Sequence, residues 1–182
     1  MDDYISFSQL NDFLYSPLSL YLHECYKTYH TQMYDDIPQV AGKKAHATID
    51  NNQYKKKHWI TGMWLCSPIL RLYGRADLYN DFTGELVERK RKIAYIYEGY
   101  KMQIWGQYYC LVEMGYSVSG ISLHSLIDNS RYSLGIPTED NIHQLKDLIN
   151  RMRIYTPTFD VLEEENEKSS NSIYAALLPT KK

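Results

Sequence analysis

Residues 72–90 read Leu72-Tyr73-Gly74-Arg75-Ala76-Asp77-Leu78-Tyr79-Asn80-Asp81-Phe82-Thr83-Gly84-Glu85-Leu86-Val87-Glu88-Arg89-Lys90. Asn80 to Gly84 has the composition of a hairpin turn, and apolar, β-prone residues lie on both sides of it. The segment before the turn is expected to be a strand closing on Gly74-Arg75-Ala76-Asp77. After the turn, Glu85 to Lys92 is expected to be a strand with Leu86, Glu88 and Lys90 on one face and Val87 and Arg89 on the other. Glu88 and Lys90 are two residues apart, so they point the same way, and the hairpin brings Asp77 toward them. The result is an Asp-x(n)-Glu-x-Lys arrangement. Two carboxylates can hold Mg²⁺ or Mn²⁺, and an adjacent ammonium can orient a water or stabilise developing charge, which is the chemistry of phosphodiester hydrolysis.

Outward from this stretch the chain alternates helical and strand-like texture. Ser6 to Gln9 has capping-box spacing, and Leu10, Phe13 and Leu14 follow at helical intervals, so a helix is expected from about residue 7, kinked or restarted at Pro17. Residues 28–38 read as a loop and residues 42–53 as a helix. From Trp59 the pattern is that of strands, with Pro68 and Gly74 as punctuation. Gly99 to Gly115 carries Met102, Trp105, Tyr109 and Val112 at helical spacing. Val118 to Leu134 reads as a second hairpin turning at Asp128-Asn129-Ser130. Pro137-Thr138-Glu139-Asp140 opens a last helix, with early acids and late Arg151 and Arg153 suited to its dipole. Residues 163–170 read as a polar link and 173–178 as a short apolar segment.

The 182 residues suit one domain, with no internal repeat. The formal charge is 20 − 22 = −2, too balanced for a histone-like or polybasic membrane protein, so any nucleic-acid contact must be a local patch. Hydrophobic residues at 44% and charged ones at 23% fit a folded globular chain. Cys25, Cys66 and Cys110 form no C-x-x-C pair, so they are expected to be reduced, buried thiols rather than a disulfide framework or zinc ribbon. The sequence shows neither a leader pattern nor an apolar run long enough for a membrane span, which points to the cytoplasm and to no membrane partner. The 18 tyrosines offer flat amphipathic rings for a core, an interface or base stacking.

An Asp-x(n)-Glu-x-Lys pattern alone should occur by chance about 0.4 times in a chain of this length, and a surface Asp with a Glu-Lys strand pair is its bland reading. The order of the flanking residues adds information. His46 lies upstream in an expected helix, Gly74-Arg75-Ala76-Asp77 closes a strand, Glu88-Arg89-Lys90 lies in the next, and Gln103 opens the helix after it. This order resembles that of RecB-like nucleases of the PD-(D/E)xK superfamily. Ile5-Ser6-Phe7-Ser8-Gln9-Leu10, Tyr15-Ser16-Pro17 and the run from Gln103 to Gly115 narrow the resemblance to the CRISPR-associated exonuclease Cas-four, over nearly the whole chain.

The resemblance implies an α/β fold with a restriction-endonuclease-like core, a central mixed β-sheet flanked by helices. It implies that His46, Asp77, Glu88 and the main-chain carbonyl of Arg89 bind Mg²⁺ or Mn²⁺, and that Lys90 is the catalytic lysine. Gln103 would help to place the lysine or the DNA, and Gln107, one turn later, would project to the same side. It further implies a DNA exonuclease that trims prespacer ends and aids PAM selection in CRISPR adaptation, with the Cas-one integrase and its Cas-two partner, in a prokaryote or phage. Two other readings stand beside it: a DNA-binding or integrase-binding adaptor with a vestigial site, and a RecB-like nuclease of phage or repair processing.

The chain departs from that family at the iron-sulfur cluster. Ser16 stands at the first cysteine position, and Ser169 to Leu178 has the look of the cluster segment with its cysteines replaced. Hydroxyl and alkyl groups cannot replace thiolates, so no cluster is expected, and Ile173, Tyr174, Leu177 and Leu178 are expected to close the fold by packing on the first helix region. Lys43, Lys44, Lys55, Lys57, Arg75 and Lys92, with Gln107, are the candidate contacts to DNA that is single-stranded or carries overhangs; the basic ones equally suit solvated loops. An EF-hand between Asp77 and Glu88 fails, because Tyr79 stands where an oxygen ligand is needed.

Overall fold

The computed structural model describes residues 4–18, 20–21 and 57–157. The expected loop at 28–38, the expected helix at 42–53, Cys25 and the C-terminal segment lie outside those residues. The described chain is α/β. A mixed six-stranded sheet is built from β1 (Ile5–Ser6), β2 (Trp59–Ser67), β3 (Leu72–Asn80), β4 (Glu85–Lys90), β5 (Gly120–Ser125) and β6 (Arg131–Leu134). Among the described residues, three helices with defined bounds flank it, α1 (Phe7–Tyr15), α2 (Glu98–Glu113) and α3 (Glu139–Ile154).

The helix starts follow local chemistry. Ser6 caps α1 in a capping box: its backbone N–H donates to Gln9 Oε1 at 2.7 Å and its hydroxyl accepts from Gln9 N–H. Ser16 leaves the helical region at φ −155°, and helical structure resumes at Pro17, where a missing N–H costs nothing. Thr138 and Asn141 form a second capping box at α3, which also carries the early acids and late arginines read from the sequence.

The turn between β3 and β4 is closed by Asn80, whose Oδ1 accepts from the N–H groups of Phe82 and Thr83, and by Gly84 at φ 72°. β3 differs from the sequence reading in two ways. Asp77 does not end it, since the strand runs on to Asn80, and Gly74 lies inside it rather than marking a break. A Cβ on Gly74 would come within 2.6 Å of the Phe7 ring, so this glycine exists for close approach of α1. The following strand ends at Lys90, two residues before the expected end.

β3 organises the sheet. β2 pairs with it antiparallel from Leu72 to Asn80, along one edge. On the other edge β1 pairs parallel at Leu72 and Tyr73, and β4 pairs antiparallel at Leu78 and Tyr79. Residues 74–77 therefore face a fork between β1 and β4. β4 meets β5 in parallel over its whole length, with α2 as the crossover, and β5 turns back to β6. The core joins Phe7, Leu10 and Phe13 of α1, Leu65 and Leu72 of the β2–β3 hairpin, Leu86, Ile104, Leu111 and Leu123, and Leu145, Leu148, Ile149 and Met152 of α3. Arg153 ties α3 to the β2–β3 turn by donating to Leu70 O at 2.8 Å. Cys110 is buried as expected, whereas Cys66 is exposed, because it lies on the outer face of β2.

Candidate active site

The fork in the sheet holds the acidic pair. Leu78 and Val87 form the last ladder pair between β3 and β4, so Asp77 and Glu88 are the first residues past it. Asp77 Oδ2 accepts the backbone N–H of Arg89 at 2.8 Å, so the carboxylate takes a bond that a strand neighbour would otherwise take. The Lys90 carbonyl accepts from Leu126 N–H beyond the end of β5, so Lys90 directs its backbone groups toward β5. Strand alternation sends both backbone groups of Arg89 the other way, and its carbonyl points into the same fork as Asp77.

Glu88 and Lys90 share the face of β4 that lies under α2. Lys90 Nζ is 2.9 Å from Glu88 Oε1 and donates to Gln103 Oε1 at 2.6 Å. Gln103 Nε2 donates to Glu88 Oε1 at 2.7 Å, and Gln107 Nε2 to Glu88 Oε2 at 2.8 Å. Gln103 and Gln107, one turn apart, thus present two amides to one carboxylate, and Gln103 also fixes the lysine. The Lys90 ammonium lies 5.0 Å from the centre of the Tyr100 ring, a cation–π contact. Tyr100 is absent from the candidate residues of the sequence reading. Its place one turn before Gln103, on the same helix face, was the available signal.

Glu88 is almost fully buried, and Asp77 is 7% exposed. Burial first, and then the charge of Asp77, push the Glu88 carboxyl above its ordinary value, while the Lys90 ammonium and the Gln107 amide pull the other way. The two carboxylates are thus electrostatically close, and the pair favours a positive charge between them.

The donor set can be tested against the metal that the sequence resemblance implies. Carboxylate oxygens of Asp77 and Glu88 and the Arg89 carbonyl are hard donors of the kind that Mg²⁺ and Mn²⁺ take. Glu88 Oε2 accepts one hydrogen bond among the described residues, which leaves it a lone pair. Gln107 Oε1 is buried with no hydrogen-bond partner and adds an unsatisfied oxygen beside Glu88. Among the described residues no three His, Cys, Asp or Glu side chains converge. The donors that are described fit a hard divalent cation.

Not every expected site residue is placed here. His46, Lys43, Lys44 and Lys55 lie outside the described residues, as does the C-terminal segment in which a cluster was not expected. Lys57 is exposed in the turn before β2, and Lys92 is exposed just after β4. Arg75 is exposed on β3, where its Nε donates to Gly62 O at 3.0 Å and its guanidinium lies 5.7 Å from the Trp64 ring. Gln107 departs from its expected contact with DNA. It is fully buried behind Glu88, because α2 crosses the sheet with that face inward.

No family model and no curated protein matches the chain. Among solved structures it is similar to one titled "Crystal structure of SSO0001", with a TM-score of 0.67 at 15% sequence identity, covering 100% of this chain and 89% of that one. That likeness shows the fold: a mixed sheet flanked by helices. No helix among the described residues is long and apolar enough to cross a membrane.

Proposed function

We propose that the protein is a metal-dependent DNA exonuclease of the PD-(D/E)xK type, hydrolysing phosphodiester bonds at the fork between β3 and β4. The observation that carries this reading is the Glu88 carboxylate held by Lys90, Gln103 and Gln107 next to Asp77. Asp77, Glu88 and the Arg89 carbonyl would hold Mg²⁺ or Mn²⁺, which when bound polarises a phosphoryl oxygen and acidifies water. The chain's own groups do the rest. Lys90 Nζ, fixed by Glu88 and Gln103, places a positive charge where charge develops on the phosphate. Gln103 and Gln107 hold Glu88 in one orientation, which fixes a nearby ligand oxygen. By the sequence resemblance, the finer reading is trimming of prespacer ends and selection of PAM-bearing DNA with the Cas-one integrase and Cas-two.

The test is cleavage of DNA with single-stranded overhangs in Mn²⁺. Asp77→Ala and Lys90→Ala are expected to abolish cleavage and to keep DNA binding; cleavage by both variants would show that the site is misassigned. A second reading, an adaptor that binds DNA or the integrase through a vestigial site, draws on Glu88 itself. Its oxygens already accept three donors, a state that needs no metal. Isothermal titration with Mn²⁺ separates the two: binding lost in Asp77→Ala supports the nuclease, and no binding to the wild type supports the adaptor.

A further inference from the structure

We infer that Tyr95, backed by Tyr97 and Tyr100, stacks on a base of a single-stranded DNA end and so directs its backbone to Lys90. This rests on the nuclease reading above and assigns it a substrate-binding element. The row of rings is continuous. The Tyr95 and Tyr97 ring centres are 6.0 Å apart and Tyr97 and Tyr100 are 4.1 Å apart, with successive rings tilted by 57° and 52°, and the Lys90 ammonium lies 5.0 Å from the Tyr100 centre. Its outer end is open, since Tyr95 is 72% exposed in the connection between β4 and α2.

A single exposed tyrosine would need no explanation. Here the exposed ring is followed by two half-buried ones, Tyr97 and Tyr100, and the series ends on the charged group of the candidate site. The middle ring is also locked in place. Tyr97 donates its hydroxyl to Asn11 Oδ1 of α1 at 2.5 Å, and a Cβ on Gly99 would fall 2.6 Å from that oxygen and 2.7 Å from the Tyr97 ring. Glycine at 99 thus lets the start of α2, the tyrosine loop and α1 meet. Tyr97 and Tyr100 pack too closely to admit a base between them, so they act as a rigid backing, and the open face of Tyr95 takes the base.

The charges around the rings suit a nucleic acid. Arg91 and Lys92 are exposed at the head of the same loop. Cations beside an aromatic face are the combination that grips an unpaired strand, the ring taking the base and the cations the phosphates. Within a duplex the bases are stacked on both faces and offer none to Tyr95, so the site favours an unpaired strand over duplex interior.

The experiment uses the full chain in EDTA, so that binding is read without cleavage, and a single-stranded oligonucleotide carrying 2-aminopurine near its end. Anisotropy reports affinity, and quenching of 2-aminopurine reports stacking. Tyr95→Ala is expected to weaken binding about tenfold and to remove the quench, and Tyr95→Phe to keep both, because the ring and not the hydroxyl is used. The thermal midpoint of Tyr95→Ala should match the wild type, as the side chain is exposed. Wild-type affinity and quenching in Tyr95→Ala, or a Tyr95→Phe as weak as the alanine variant, would overturn the stacking site while leaving the nuclease reading intact. A wild type that neither binds nor cleaves any single strand would overturn both.

Discussion

β4 carries two glutamates near its opposite ends, each 2.9 Å from a cation, and they differ in what surrounds them. Glu85 faces Arg131 of β6 with the side chains 30% and 43% exposed; Glu88 faces Lys90 with 2% and 16%. Water screens the first pair and competes for both partners, so its contribution to stability is about 1 kcal/mol or less. The second pair has given up hydration, and its carboxylate relies on Lys90, Gln103 and Gln107 in place of water. Equal distances therefore conceal unequal dependence. At Glu85 a lost partner is replaced by solvent, whereas at Glu88 it leaves a buried charge exposed to the repulsion of Asp77.

The largest effect expected from that contrast is at Lys90. Lys90→Met should reduce Mn²⁺-dependent cleavage by about 100-fold or more, since it removes the charge placed for the transition state. The same variant should lower the free energy of urea unfolding by about 2 kcal/mol, below the value for fully buried pairs because Lys90 retains some exposure. Gln107→Leu comes next, removing one donor from Glu88 together with a buried unsatisfied oxygen. These act in opposite directions, so a net loss of about 1 kcal/mol is expected, with cleavage reduced but retained. Arg131→Ala should cost less than about 1 kcal/mol and leave cleavage unchanged. An Arg131→Ala as damaging as Lys90→Met would break the comparison.

The smallest effect concerns the cysteines. Burial pushes the Cys110 thiol up to about 12, from an ordinary 9.0. Its share of the stability is present below pH 9 and is lost as pH rises toward 12, because the unfolded chain ionises first. Cys110→Ala should flatten that alkaline fall in the thermal midpoint. Mass mapping after alkylation at pH 8 should label the exposed Cys66 and spare Cys110 in the native protein.

Much of the architecture was legible because it depends on local chemistry. Ser6 and Gln9, Thr138 and the acids after it, and Asn80 with Gly84 mark helix starts and a turn by hydrogen bonds spanning a few residues. The boundaries less well read were those set by distant partners. Gly74 looked like a break because glycine usually marks one; it lies inside β3 because Phe7, far away in sequence, needs the space. The sequence reading ends a strand at Asp77, yet β3 continues because β2 pairs with it as far as Asn80. β1 is two residues long and has no periodicity to detect.

The candidate site divides in the same way. One spacer residue between Glu88 and Lys90 fixes a common face, since alternation along a strand is a property of the backbone, and Gln103 with Gln107 share a helix face for the equivalent reason. That much the sequence determined. Which carboxylate is stripped of water, that Gln107 turns inward rather than toward DNA, and that Tyr100 lies beside the lysine were decided by how α2 crosses the forked sheet. Hydration and proximity across the fold arise only when separate elements pack, and no spacing along the chain encodes them.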